Sequence, residues 1–132
     1  MPEIIINVVK FLIPFLVGGL IFFASVIAPT IFLSLDQKNA RSFLRKIFPK
    51  IYLYSGVVSL VISVNLFFID SFLSFIFIII TLGYLYSRQF LMLRINIAAD
   101  NKNDKDFKKL HRFSVIIFLS QIILMILVYT LI

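Results

Sequence analysis

The stretch IYLYSGVVSLVISVNLFFIDSFLSFIFIIITLGYLYS, residues 51–87, carries one charged side chain, Asp70. Asp70 and Ser71 split it into two apolar runs, 51–69 and 72–92, the second of which extends through Arg88 near its end. Each run is close to the roughly 20 residues that a helix needs to cross about 30 Å of hydrocarbon. On either side lie two basic segments. Residues 36–50 contain Lys38, Arg41, Arg45, Lys46 and Lys50, and residues 88–112 contain Arg88, Arg94, Lys102, Lys105, Lys108, Lys109 and Arg112. Of the 13 basic residues only Lys10 stands elsewhere. Two further apolar stretches complete the pattern: 6–35, interrupted by Lys10, Pro14 and Pro29, and 113–132. A bilayer crossed four times accounts for this distribution. Backbone groups in lipid must be bonded within their own segment, and no barrel-like alternation is present, so the crossings are helices. The pattern predicts an all-α, single-domain, antiparallel four-helix membrane bundle with helices over about 6–35, 51–69, 72–95 and 107–132.

Composition supports the same class. Of 132 residues, 61% are hydrophobic, and the mean hydropathy is +1.08. A soluble domain of this size needs more polar side chains to cover its surface. The net charge of +7 follows from basic cytoplasmic loops and does not indicate a nucleic-acid partner. The positive-inside rule puts both basic loops in the cytoplasm, with the Asp70–Ser71 turn and both termini outside. No cleaved leader is expected, because the start lacks a basic region and the first apolar stretch is long enough to remain in the membrane. The absence of cysteine excludes disulfides and thiolate chemistry. Abundant Ile, Phe, Asn and Lys without Trp suggest an AT-rich bacterial genome, and hence an inner-membrane location.

The first basic loop has its own pattern. Ala40, Phe43, Leu44, Ile47 and Phe48 recur at helical spacing, with Arg41, Arg45 and Lys46 on other faces. This predicts a short interfacial helix over about 39–48 among anionic lipid headgroups, ended by Pro49. A solvated connector is the alternative. In the second loop, polar from 96 to 109, Asp104 or Asp106 is the expected N-cap of a helix beginning near Phe107.

Polar residues within the spans are costly and therefore informative. Ser55, Ser59 and Ser63 recur every four residues beside Gly56, with Asn65 further along. Close helix packing explains them, and a polar conduit is the competing reading. Gly18, Gly19 and Ser25 are likewise read as packing positions, and Gln121 and Asn65 as inter-helix hydrogen-bonding residues. Pro14 and Pro29 should bend the first helix, with the Ser25 hydroxyl compensating the carbonyl that Pro29 frees. His111 is the only histidine, so no zinc site is expected, although one imidazole could ligate a haem. No serine has a basic partner for nucleophilic catalysis, no Gly-rich phosphate loop is present, and no mid-membrane carboxylate offers a proton relay. Neither a catalytic residue nor a cofactor is assigned.

Two passages resemble a known family. Residues 18–23 (GGLIFF) followed by 26–32 (VIAPTIF), then 47–52 (IFPKIY), are similar to the first half of the transmembrane protein 205-like domain, and 106–114 (DFKKLHRFS) is similar to its approach to the last helix. The resemblance implies a small membrane domain of unsettled activity. The expected function is non-enzymatic and related to transport or membrane stress, and because four helices are few for a pore it is expected to work through self-association or a membrane partner. It marks Ala28, Pro29 and Phe32, then Phe48, Pro49 and Tyr52, and finally His111, Arg112 and Ser114 as a cluster expected at the cytoplasmic face. The alternative is a haem-dependent membrane oxidoreductase using His111. Small four-helix oxidases of haem biosynthesis and copper-resistance membrane proteins are more weakly similar, and this first helix lacks their prominent histidine.

Overall fold

The structure, a computed structural model, describes residues 2–132. Four helices fill it: α1 (Pro2–Ser34), α2 (Gln37–Phe67), α3 (Ser71–Asp100) and α4 (Asp104–Leu131), each long and apolar enough to cross a membrane. No strand occurs among the described residues. At 28 to 33 residues each, the helices measure about 42–50 Å at 1.5 Å per residue, longer than the hydrocarbon layer alone requires.

Short polar caps set the boundaries. Asp36 accepts from the Asn39 N–H at 3.3 Å to start α2, and Asp70 accepts from the Phe72 and Leu73 N–H groups at 2.9 and 3.3 Å to start α3. The α4 cap corrects the sequence expectation. Asn103, not an aspartate, accepts from the Asp106 N–H at 3.2 Å, while its amide donates to the Asp106 carboxylate at 2.9 Å. Lys102 adopts a left-handed φ of 54° and turns the chain one residue earlier than charge spacing suggests. Asp104 and Asp106 instead occupy the first turn, where negative charge opposes the helix dipole. Replacing Asp70 by Ala removes two N-terminal bonds from α3. This should lower stability by about 1 kcal/mol, read as an earlier midpoint in detergent unfolding.

Pro49 does not end a helix. The 39–48 segment and the second span form one continuous helix, α2, with Pro49 inside it. Proline removes one backbone bond and crowds the preceding turn, at about 3 kcal/mol in an isolated helix interior. Tertiary contacts hold both sides of it. Leu44 and Tyr52 are buried on the same face, the Arg45 guanidinium donates to the Asn96 carbonyl at 3.3 Å, and Arg88 Nε donates to the Pro49 carbonyl at 3.1 Å.

Pro29 is accommodated differently. A π-helical turn over Phe23–Ile27 precedes it, and the Ala28 N–H reaches the Phe23 carbonyl. Such a widened turn is a recognised response to a break in the helical ladder. The Ser25 hydroxyl donates to the Ile21 carbonyl at 2.6 Å rather than serving its own carbonyl, and Thr30 donates to Val26 at 2.6 Å. A second π-helical turn, Ser87–Leu91, lies in α3.

Side chains from all four helices share one core. Val9, Ile13 and Leu16 of α1 meet Ile62 and Leu66 of α2, Phe77 and Ile80 of α3, and Met125 and Val128 of α4. The opposite faces are apolar too: Leu33, Phe68, Phe72 and Leu131 are each more than half exposed. Apolar surface on this scale is not sustained against water and matches contact with lipid.

Candidate functional site: a hydroxyl seam and a basic end

The polar residues of the spans collect along the α2–α3 contact. Ser59 and Thr81 share a hydrogen bond at 2.9 Å, while Ser63 and Ser74 exchange bonds to each other's carbonyls at 3.1 and 2.8 Å. Ser59 also donates to the Gly56 carbonyl and Thr81 to that of Phe77. These bonds satisfy hydroxyls that lipid could not and hold two antiparallel helices in register. At the next level Gly56 faces Tyr84, where an added Cβ would make only ordinary contact, at 3.8 Å, with the Tyr84 Cβ. The Ser55 and Tyr84 hydroxyls are buried there without a hydrogen-bond partner among the described residues.

α4 joins through Gln121, whose amide donates to the Ile80 carbonyl at 3.0 Å. Asn65 behaves otherwise, returning its amide to the Val61 carbonyl of its own helix at 2.8 Å. Gly18 and Gly19 face outward: a Cβ on either would meet nothing within 4 Å, so they do not form a close contact within the chain. Ser25 is also exposed. Sequence reasoning found Ser59 and Ser63 but missed Ser74 and Thr81. A signal was present, since Ser74 and Thr81 are seven residues apart on one helical face with Phe77 between them.

The second cluster lies where the start of α2, the end of α3 and the start of α4 meet. Arg45 forms an ion pair with Asp100 at 2.5 Å. The Arg41 guanidinium lies 5.9 Å from the Phe107 ring centroid, and Phe107 stacks on His111 with centroids 5.9 Å apart. Ser114 donates to the His111 carbonyl at 2.7 Å. A groove of about 360 Å³ opens beside them, lined by Arg94, Asn101, Asn103, Asp106 and Lys109 among others. Among the residues marked by the resemblance, Phe48 and Tyr52 of one group are in ring contact with each other. Phe48 also meets Phe23 edge-on, whereas Pro29, Phe32, His111 and Arg112 are exposed. No hydrogen bond or aromatic contact links the Pro29 group to the His111 group among the described residues. His111 stacks on Phe107 in the open, and no group of three His, Cys, Asp or Glu side chains among those residues could hold a metal ion.

Four apolar helices with lipid-suited outer faces, internally bonded hydroxyls and a basic end define an integral helical membrane protein. The chain belongs to the family described as domain of unknown function (DUF4149), whose model matches residues 11–131. No curated protein and no solved structure matches it.

Proposed function

We propose that this is a non-enzymatic inner-membrane protein of the transmembrane protein 205-like type, with both basic loops cytoplasmic and both termini outside, that binds anionic lipid headgroups at its cytoplasmic face. The observation that carries the proposal is the charge at the basic end. Twelve basic side chains stand there against four acidic ones, Asp36, Asp100, Asp104 and Asp106, and the one ion pair among the described residues is Arg45–Asp100. Most of the cations therefore remain available, and each Lys or Arg near an anionic surface contributes about 1 kcal/mol, weakened by salt. The first turns of α2, with Phe43 exposed beside Arg41 and Lys46, would lie along the interface as an extension of the span. A role in transport or membrane stress would then depend on this surface, because the seam hydroxyls of Ser59, Ser63, Ser74 and Thr81 are committed to one another.

Replacing Lys46, Lys50, Lys105, Lys108 and Lys109 by Gln should reduce the bound fraction of spin-labelled phosphatidylglycerol around the reconstituted protein by at least tenfold. The labelled phosphatidylcholine fraction should not change. Equal retention of both lipids by the unaltered protein would reject headgroup binding. Reporter fusions in each loop and at the C-terminus test orientation separately: a cytoplasmic C-terminus would refute the topology. The haem reading has a direct check as well. The purified protein should show a featureless visible spectrum, and a Soret band abolished by His111→Ala would replace the present proposal.

A further inference from the structure

Lys10 is the basic residue that the two basic segments do not include. It is exposed, and residues 11–35 after it carry no charge. Positions 10, 14 and 18 follow one stripe of α1. Pro14 and Gly18, with Ile13 and Val17 beside them and Ile126 and Tyr129 of α4 opposite, line an open groove of about 410 Å³. Its floor exists because residue 18 has no side chain, since a Cβ there would meet nothing within 4 Å. Pro14 has no N–H, which deprives the Lys10 carbonyl of its ordinary helical donor where lipid-facing backbone groups need one. The groove thus runs along an apolar wall, and one helical turn before Pro14 on the same stripe, outside the groove's lining, stand the exposed Lys10 ammonium and a carbonyl whose helical donor Pro14 lacks.

We propose that this groove binds one anionic phospholipid with a hydroxyl-bearing headgroup, in the leaflet on the N-terminal side. An acyl chain lies against Pro14 and Gly18, the Lys10 ammonium meets the phosphate, and a headgroup hydroxyl donates to the Lys10 carbonyl. Charge favours lipid over a second copy of the chain, because a two-fold contact through this face would bring two Lys10 side chains together. Glu3 does not neutralise Lys10: the two are seven residues apart, about 10 Å along the helix, and form no ion pair. This site is independent of the basic end and lies at the opposite end of the spans.

The test uses the full chain reconstituted in phosphatidylcholine vesicles with a trace of phosphatidylglycerol carrying a diazirine on one acyl chain. After illumination, peptide mapping should place adducts on residues 13–18 and 126–129, about fivefold above lipid-facing positions such as Leu82 and Ile123. Lys10→Gln should remove that excess and Lys10→Arg should keep it, while Gly18→Leu, which fills the floor, should abolish labelling of the groove. Adducts spread evenly over the lipid-facing helices of the unaltered protein would overturn the proposal whatever the variants do. So would unchanged labelling in correctly folded Lys10→Gln and Gly18→Leu proteins, or a groove-to-groove crosslink between two copies. Loss of labelling at the basic end alone would count against the cytoplasmic headgroup reading and leave this site standing.

Discussion

Phe77→Ala should lower stability by about 3–5 kcal/mol, whereas Phe75→Ala, two residues earlier on the same helix, should change it by less than about 1 kcal/mol. The Phe77 ring is fully buried, and Phe75 is 58% exposed. Removing the inner ring leaves a cavity in the buried cluster to which Ile13, Leu66, Ile80 and Met125 also belong. Helices in lipid gain little from hydrophobic transfer when they associate, since the tails are as apolar as the side chains, so close packing carries much of their association. The exposed ring exchanges protein contact for acyl-chain contact and loses little. Unfolding midpoints in SDS–detergent mixed micelles measure the difference. Equal effects at 75 and 77 would mean that α3 presents a different face inward.

Gly83→Leu should destabilise by about 2–3 kcal/mol and separate α3 from α4. A Cβ at this position would stand 2.5 Å from Gln121 Nε2 and 3.5 Å from its Cδ. Gln121 is buried, and its amide makes the inter-helix bond to the Ile80 carbonyl. With Ala, the flexible amide end can swing aside, and the loss should approach the roughly 0.6 kcal/mol typical of one inter-helix hydrogen bond in a membrane. A leucine also meets the Gln121 stem, and overpacking adds about 1–3 kcal/mol. The pair should couple: in a Gln121→Ala background, Gly83→Ala should be nearly neutral. A full additive penalty in that background would show that the glycine matters for something other than Gln121.

These two residues also show where the sequence is informative. The number of long apolar helices follows from the distribution of charge, because each charged side chain within lipid has a large energetic cost. The inward face does not. Phe72, Phe75 and Phe77 look alike in the sequence, and a helix apolar all round gives no stripe to orient it. Gln121 could be recognised as polar and intramembrane, but its partner is a backbone carbonyl, which every residue carries. Gly83 could not be distinguished by type from Gly18 and Gly19, yet only Gly83 is pressed against a neighbour. Pro49 and Pro29 show tertiary structure overriding a local signal. The first is held by bonds from Arg45 and Arg88 on other turns, and the second is absorbed by a π-helical turn that no spacing rule anticipates. At the basic end, the Arg45–Asp100 pair joins residues 55 apart in sequence, beyond the reach of local patterning.

The close pairing of α2 and α3 has a consequence for how the chain enters a membrane. The turn between them, at Asp70, is the only charged part of the hairpin that has to reach the far side if the basic segments stay where they are synthesised. Moving one carboxylate through the translocon's lipid-facing exit costs about 3 kcal/mol, while moving the other ends would carry the twelve Arg and Lys side chains of the two basic segments. Serine and threonine hydroxyls that pair during insertion would not have to cross unpaired. The hairpin is thus suited to enter as one unit, with its own polar atoms already covered before α1 and α4 pack against it.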